Sequence, residues 1–308
     1  MMFDDPYDSS LVLADGPAGE RPLVQVEGLA RHFPDTEKPV FRDAWFSLRR
    51  GETVCLVGHS GCGKSTMLRL LAGLDTASDG AVLVDRRAIM GPSADRALVS
   101  QEHGLKPWLT ILDNIAFAVR ARWPGWTPAK VYAQSQHHAA LLRLTGLEGK
   151  KPGQVSATVK LRVCLARAVA AEPRLLLLDE PFAALDPRAR GVLLDEVRRH
   201  CVEASQTVVM ATHDIDEALF LADRILLMTN GPDARIAETV RNTLPRARTR
   251  KNLHGHAPYY ALRDHLIAFL IERSRQAPPQ AAPIAPPPDR VAPTPISSGR
   301  HDTGFAAR

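Results

Sequence analysis

The sequence predicts an α/β fold with a mostly parallel sheet, and three observations support this prediction. Short apolar runs of strand length stand at residues 53–57, 175–178 and 207–211, as in parallel strands that are covered on both faces. A glycine-rich segment separates the first run from a helical pattern at residues 65–72. The middle of the chain, residues 111–144, has helical patterns punctuated by proline. Strands that alternate with helices in this way are typical of α/β proteins.

The individual elements follow from apolar spacing and from stop signals. The predicted strands lie at residues 23–26, 44–48, 53–57, 81–84, 97–100, 175–178 and 207–211. The predicted helices lie at residues 65–72, 111–122, 128–144 and 187–200. Gly73 is a predicted helix stop, and Pro107, Pro124 and Pro128 mark breaks in the middle of the chain.

Length and composition fit one domain with an additional segment at each end. The chain has 308 residues, which exceeds the roughly 200 to 250 residues of a single α/β core. Its 45% hydrophobic and 24% charged residues exclude a chain that is disordered or collagen-like throughout. Residues 1–22 mix Asp, Gly, Pro and Ser without periodicity, and residues 276–308 contain eight prolines. We expect both ends to be disordered.

The distribution of charge and of cysteine narrows the class of protein. Residues 241–308 hold eleven Lys and Arg against four Asp and Glu, which gives this tail a charge of +7. Residues 1–240 carry −2, so the net charge of the chain is +5. We interpret the basic tail as a solvated extension and expect no nucleic-acid partner. Four scattered cysteines form no disulfide framework, which fits a reducing cytoplasm. Because no apolar run approaches the roughly 18 residues that span a bilayer, we expect membrane association only through partners.

A glycine-rich loop after the first buried strand carries the most specific motif. It satisfies the pattern Gly-x4-Gly-Lys-Ser/Thr with Gly58, His59, Ser60, Gly61, Cys62, Gly63, Lys64, Ser65 and Thr66. Glycines let successive backbone N–H groups converge on phosphate oxygens at the positive end of the following helix. Lys64 is expected to reach the β- and γ-phosphates of ATP, and Ser65 to offer its hydroxyl to Mg²⁺. The sequence therefore predicts a nucleotide-binding loop.

Two carboxylates end the second buried strand. Asp179 and Glu180 follow four consecutive leucines at residues 175–178. In a parallel sheet this strand end lies beside the phosphate loop, where Asp179 can hold Mg²⁺ and Glu180 can polarise the attacking water as general base. An apolar run that ends in Asp-Glu would by itself also suit a surface turn. Together with the phosphate loop, it predicts nucleotide hydrolysis.

From about residue 23 to residue 245 the sequence resembles the ABC transporter ATPases, and the two motifs above resemble their Walker A and Walker B segments. Further elements stand in the order and spacing of that family. The resemblance implies that Gln101 contacts nucleotide and metal as the Q-loop glutamine, that Asp186 belongs to the D-loop, that His213 is the switch histidine, and that Phe33, 31 residues before Lys64, stacks on adenine.

The resemblance also implies the fold in more detail. It predicts a P-loop NTPase core with a mostly parallel sheet, an antiparallel β subdomain and an α-helical insert at about residues 102–165. The ATPase domain would cover residues 23–245 and be followed by a helical extension at residues 246–275. ATP and Mg²⁺ are the implied ligands, and a second ATPase subunit is an implied partner.

One family element departs from its pattern. The signature segment, normally Leu-Ser-Gly-Gly-Gln, is replaced by Val155, Ser156, Ala157, Thr158 and Val159. In the family this segment contacts the γ-phosphate bound by the other subunit, and here only Ser156 is retained. The added Cβ atoms oppose a close backbone approach. Two interpretations remain open: a degenerate site that is paired with an intact partner signature, or a site for which Ser156 and the helix dipole suffice.

Three stretches narrow the resemblance to the nitrate, sulfonate and taurine importers, with most likeness to the nitrate, cyanate and bicarbonate branch. They are residues 105–110, residues 212–232 and the pair Tyr259-Tyr260. The implied partners are integral membrane permease subunits and, indirectly, a periplasmic or lipid-anchored solute-binding protein. The implied location is the cytoplasmic face of the inner membrane. Trp108 would either anchor a coupling helix of the permease or pack inside the helical insert.

Two other functions compete with ATP-driven import of a small anion. A regulatory nucleotide-binding subunit with weak hydrolysis would fit the altered signature, and sulfonate or taurine import would fit the same family resemblance. A soluble ABC protein of DNA repair or translation would show two nucleotide domains or a long coiled insert, and the sequence has neither.

Overall fold

The computed structural model of the protein describes residues 21–100 and 104–275. The predicted disordered tail at residues 276–308, most of the predicted disordered N-terminus and Gln101 lie outside the described residues. The described part of the chain contains two sheets and a set of helices around them. In this part, no helix is long and apolar enough to cross a lipid bilayer.

The central sheet has six strands in the order β10-β9-β3-β8-β7-β6. The strands are β3 (Thr53–Val57), β6 (Arg96–Val99), β7 (Leu175–Asp179), β8 (Thr207–Thr212), β9 (Arg224–Met228) and β10 (Ile236–Arg241). All neighbouring pairs are parallel except β9 and β10, so the sheet is mostly parallel as predicted. β9 and β10 were not predicted from the sequence.

The second sheet is antiparallel and has four strands in the order β2-β1-β4-β5. They are β1 (Val24–Arg31), β2 (Phe41–Leu48), β4 (Asp79–Val84) and β5 (Arg87–Ala88). β1 extends five residues beyond its predicted end at residue 26, because bulges after Val26 let the strand continue its pairing with β2 and β4.

Seven helices occur in the described residues. They are α1 (Lys64–Ala72), α2 (Ile111–Arg122), α3 (Pro128–Leu141), α4 (Ala157–Ala170), α5 (Pro187–Glu203), α6 (Ile215–Leu221) and α7 (Pro258–Arg275), with short 3₁₀ turns at Pro152–Gln154 and Leu253–Gly255. The side chains of Thr110 and Thr127 accept the N-cap hydrogen bonds of α2 and α3. α2, α3 and α4 pack on one another as a helical layer.

The central sheet is buried on both faces, as its apolar strands predict. Alternate residues of β3 enter two different core clusters: Cys55 and Val57 face the helices α2 to α6, whereas Val54 and Leu56 face α1 and the antiparallel sheet. All five residues of β3 are buried. The predicted α/β class, with its parallel sheet, antiparallel sheet and helical layer, is therefore confirmed.

Helix α3 ends three residues before its predicted end at residue 144. Arg143 adopts the left-handed conformation (φ 55). The amides of Arg143 and Leu144 donate to the carbonyls of Ala140 and Ala139, which is the hydrogen-bond pattern of a Schellman turn. Because an arginine occupies the position where such turns usually have glycine, the sequence contained no stop signal.

Candidate functional site

The parallel register brings three strand ends to one edge of the central sheet. Val57 of β3 pairs with Thr212 of β8, and Asp179 of β7 pairs with Ala211 of β8. The segments that follow these strands, namely the phosphate loop, Glu180 and His213, therefore emerge side by side. The carboxyl edge of a parallel sheet is where α/β proteins bind ligands.

The phosphate loop closes on its own lysine. Lys64, the first residue of α1, is buried, and its Nζ donates to the carbonyl oxygens of Gly58 at 2.8 Å and His59 at 3.1 Å. Gly63 caps the helix with φ 97, and a Cβ there would lie 2.8 Å from Val40 Cγ1. The loop conformation thus requires glycine at this position. Helix α1 begins directly at this loop, and helix N-termini attract anions such as phosphate.

A hydroxyl and a carboxylate lie together beside this loop. Ser65 Oγ donates to Asp179 Oδ1 at 2.9 Å. Burial raises the pKa of the Asp179 carboxyl, while the hydrogen bond from Ser65 opposes the rise. Among residues 21–100 and 104–275, no group of three His, Cys, Asp or Glu side chains forms a metal cage. The oxygen pair nevertheless fits Mg²⁺, which prefers oxygen ligands and usually shares its coordination with phosphates and water.

Glu180 occupies the centre of the charged groups. Its Oε1 lies 3.5 Å from Lys64 Nζ, and its Oε2 lies 3.2 Å from His213 Nδ1. The backbone of Glu180 is left-handed (φ 44), which is unusual for a residue with a Cβ, and its amide donates to the carbonyl of Ala211 at 3.0 Å. Residues held in such conformations cluster at functional sites. Glu180 is therefore fixed in place by both its backbone and its side chain.

His213 lies in the turn between β8 and α6, and its side chain is mostly exposed. The next residue, Asp214, caps α6: its Oδ1 accepts from the amides of Asp216 at 2.9 Å and Glu217 at 3.1 Å. The amide of Asp214 in turn donates to Thr212 Oγ1 at 3.0 Å. These bonds fix the backbone on the C-terminal side of His213 and aim its ring at Glu180.

The other predicted phosphate-loop residues differ in exposure. Ser60 and Gly61 are exposed, Thr66 is partly exposed and Cys62 is fully buried, so that burial raises the pKa of the Cys62 thiol. His59 faces away from the loop, with its Nε2 3.0 Å from the carbonyl oxygen of Leu270 in α7.

The remaining predicted site residues lie on other elements. Phe33 follows β1 and its side chain is exposed, with the Arg31 guanidinium 4.5 Å from its ring centroid. Ser156 and Asp186 are the N-caps of α4 and α5: Ser156 Oγ accepts from the Val159 amide at 3.4 Å, and the Asp186 carboxylate accepts from two amides of its own helix. The described contacts do not join Phe33, Ser156 or Asp186 to the charged groups around Glu180.

Trp108 resolves one of the open alternatives. Its side chain is 67% exposed, and Phe117 of α2 is also exposed. Lys106 Nζ lies 5.7 Å from the ring centroid of Trp108 and 5.8 Å from that of Phe117. Trp108 is therefore not packed inside the helical insert.

Sequence reasoning missed three groups that support this site. Glu217 is buried in α6 and accepts from Thr212 Oγ1 at 2.8 Å. Asp216 of the same helix accepts a hydrogen bond from Tyr259 of α7. Gly231 packs against the phosphate loop so closely that a Cβ would lie 2.5 Å from the carbonyl oxygen of Gly61. The acidic first turn of α6 is a helix-start signal from which this helix could have been predicted.

Comparison with known proteins identifies the class of this site. A family model described as ABC transporter matches residues 41–183. The fold also resembles an ATP-binding cassette solved as a dimer in a post-hydrolysis state with ADP and Pi, with a TM-score of 0.65, 26% identity and coverage of 72% of this chain and 100% of that chain. A second dimeric structure, described as a bacterial ABC transporter cassette, gives the same TM-score at 25% identity, and it covers the same shares of the two chains.

Sequence relatives are more similar. The nitrate transport protein NasD of Klebsiella oxytoca is 41% identical over 260 residues, which cover 83% of this chain and 99% of that protein. The bicarbonate transport ATP-binding protein CmpD of Synechocystis sp. is 42% identical, over 82% of this chain and 90% of that protein. The relative CmpC of the same organism is 44% identical over 74% of this chain, which spans only 34% of that longer protein.

The chain belongs to the ABC transporter family, and it is an ATP-binding cassette of the transporter ATPase type. The family resemblance and enzyme class predicted from the sequence are thus confirmed. Membership implies nucleotide binding, dimerisation and a membrane permease as partner.

Proposed function

We propose that this chain hydrolyses ATP to drive the import of nitrate or a related small anion. The convergence of Lys64, Asp179 and His213 around Glu180 at one sheet edge is the observation that carries the hydrolysis. The anion is inferred from relatives named for nitrate and bicarbonate transport, over nearly their full length in two cases. The motifs in residues 212–232 support the same branch.

The side chains divide the work of hydrolysis. The α1 amides and Lys64 hold the phosphates, and Ser65 and Asp179 offer oxygen ligands to Mg²⁺. Bound Mg²⁺ would neutralise charge on the phosphate oxygens. Glu180 accepts a proton from the water that attacks the γ-phosphate, and His213, 3.2 Å from its Oε2, holds the carboxylate in position.

Four residues complete the proposed site from its margins. Phe33 would stack on adenine, and Gln101, outside the described residues, would contact nucleotide and Mg²⁺. Ser156 and Asp186 would act across the dimer interface on nucleotide bound by the second subunit. Their positions at the N-termini of α4 and α5 support this assignment, since helix N-termini attract phosphate.

The partners follow from the same assignment. We infer membrane permease subunits, a second ATPase subunit and, indirectly, a periplasmic or lipid-anchored solute-binding protein, with the chain held at the cytoplasmic face of the inner membrane. The exposed rings of Trp108 and Phe117 support a docking site for the permease on the helical insert. We assign residues 23–245 to the ATPase domain, with the insert at about residues 102–165, and residues 246–275 to a C-terminal extension.

A second candidate function is a nucleotide-binding regulatory subunit that hydrolyses ATP slowly. The observation that favours it is the signature segment at residues 155–159, where Ala157 and Thr158 replace glycines in the first turn of α4. The two candidates bind the same nucleotide and differ in turnover.

The ATPase rate in liposomes that contain the membrane partner separates these functions. We expect Glu180→Gln to lower the rate by at least about 100-fold while a fluorescent ATP analogue still binds. The matched control Glu203→Gln, at the exposed end of α5, should hydrolyse ATP like the wild type. A wild type without turnover, unchanged by Ala157→Gly with Thr158→Gly, would favour the regulatory subunit. Adding the solute-binding protein with nitrate, bicarbonate or taurine then tests the transported anion by stimulation of the rate.

A further inference from the structure

The C-terminal helix α7 packs along the functional edge of the molecule. Tyr259, at its start, is 1% exposed, and Leu266 is fully buried in the same core cluster as α6. Leu262, Phe269 and Leu270 are partly buried against that cluster. One face of α7 is therefore fixed to the body of the protein over three turns.

The start of α7 contacts the turn from His213 to Asp216, which we call the switch turn. Tyr259 Oη donates to Asp216 Oδ1 at 2.7 Å, and Arg263 Nε donates to the same oxygen at 3.1 Å. Asp216 lies three residues after His213, in the first turn of α6. Because the Arg263 pair is solvent-exposed and such pairs contribute little, the buried Tyr259 is the main anchor. Burial raises the pKa of the Tyr259 hydroxyl, so it remains a donor at neutral pH.

About three turns further along α7, Leu270 reaches the phosphate loop. The carbonyl oxygen of Leu270 lies 3.0 Å from His59 Nε2. The backbone carbonyl of His59 is itself a hydrogen-bond acceptor for Lys64 Nζ, at 3.1 Å. Leu270 of α7 is thus connected to Lys64 through one residue, His59.

The two segments that α7 contacts both lie beside the carboxylate of Glu180. Glu180 Oε2 contacts His213, which belongs to the switch turn, and Oε1 lies 3.5 Å from Lys64, which belongs to the phosphate loop. Residues 259 and 270 are eleven positions apart, or about 16 Å along a helix. A helix of this length is stiff and sets the separation of the two segments that hold Glu180.

We propose that residues 259–270 form a strut that positions the general base by tying the switch turn to the phosphate loop, with Tyr259 and His59 as its positioning residues. This inference rests on the proposed function for its effect on hydrolysis, but its structural effect does not depend on turnover. Without the Tyr259 hydroxyl, Asp216 loses its buried donor, and the alignment of His213 and Lys64 about Glu180 loosens. Nucleotide binding is retained, because Lys64 keeps its hydrogen bonds to the carbonyl oxygens of Gly58 and His59 within the loop.

The test is Tyr259→Phe, which keeps the buried ring and removes only the hydroxyl. Tyr260→Phe is the matched control, since Tyr260 is the adjacent tyrosine and is 58% exposed. We expect Tyr259→Phe to lower kcat about tenfold, with KM for ATP and the affinity for a fluorescent ATP analogue within about twofold of wild type. Rates are normalised to bound analogue, so that loss of folded protein does not lower the apparent kcat.

Hydrogen–deuterium exchange of the whole chain gives a second measurement that needs no turnover. The strut predicts that Tyr259→Phe speeds exchange in residues 58–66 by at least about threefold, at the far end of α7, whereas Tyr260→Phe leaves it unchanged. Reciprocally, His59→Ala should speed exchange in residues 214–221. Faster exchange confined to α6 and α7 would reduce Tyr259 to a local packing role and overturn the proposal, as would an unchanged kcat. If the wild type fails to hydrolyse ATP, the proposed function fails and the exchange data alone decide the strut.

Discussion

Glu217 makes the stability of this protein depend on pH in an unusual direction. Its carboxyl group is buried, accepts from Thr212 Oγ1 at 2.8 Å and lies 3.7 Å from Arg190 Nε. Burial raises its pKa from 4.5 to about 7, with the nearby Asp214 adding to the rise and Thr212 and Arg190 opposing it. The folded protein therefore keeps a proton between these two pH values that the unfolded chain releases.

The free energy of unfolding should accordingly fall as pH rises through this window and level off above it. The difference between about 7 and 4.5, at about 1.36 kcal/mol per pH unit, amounts to about 3 kcal/mol. Glu217→Gln still accepts from Thr212 but cannot ionise. Between pH 5 and pH 8 we expect the wild type to lose about 2 to 3 kcal/mol more than this variant, measured by urea unfolding followed by circular dichroism.

His138 provides the control because its effect has the opposite sign. Burial lowers the pKa of this histidine from 6.5 to about 4, so its contribution to stability is lost as pH falls below 6.5. Relative to His138→Gln, the free energy of unfolding of the wild type should therefore fall toward low pH. Relative to Glu217→Gln, it should fall toward high pH. Parallel curves for the wild type and Glu217→Gln from pH 5 to pH 8 would show that Glu217 is ionised in the fold throughout, which would refute the reasoning.

Two substitutions test how neighbouring segments support the site. Gly231→Ala would place a Cβ 2.5 Å from the carbonyl oxygen of Gly61, so the phosphate loop must shift; we expect at least about tenfold weaker binding of a fluorescent ATP analogue in an equilibrium titration. Arg248→Met removes donors to two buried carbonyls at the end of α6. Both carbonyls keep another side-chain donor, from Arg198 and Asn242, so the free energy of unfolding measured in urea should fall by only about 1 to 2 kcal/mol, with analogue binding retained.

The sequence was sufficient where the signal is local. The bounds of β3 and α2 agree with the prediction, because the last four residues of β3 are apolar and α2 follows directly after the capping residue Thr110. The phosphate loop was identified from spacing alone, since its backbone conformation requires glycine at fixed positions. The parallel sheet then placed Asp179 and Glu180 beside this loop without further information.

The sequence was insufficient where conformation depends on distant partners. The left-handed backbones of Arg143 and Glu180 have no signal in residue type, because both residues are ordinarily helical or extended. The bond between Tyr259 and Asp216 joins residues 43 positions apart, and that between His59 and Leu270 joins residues 211 apart. β10 was missed because its alternation of exposed and partly buried residues at a sheet edge gives a weaker pattern than a fully buried strand.

Several residues predicted from the family resemblance also cap helices, and this affects how their variants must be interpreted. Asp186 accepts amide hydrogen bonds at the start of α5, and Ser156 accepts one at the start of α4. An alanine variant removes the cap and any action on nucleotide at once, and loss of a cap alone costs about 1 kcal/mol. Asparagine caps a helix nearly as well as aspartate but carries no charge. A loss of hydrolysis that appears in Asp186→Asn without a loss of stability therefore belongs to the charge of the D-loop, whereas a loss confined to Asp186→Ala belongs to the helix.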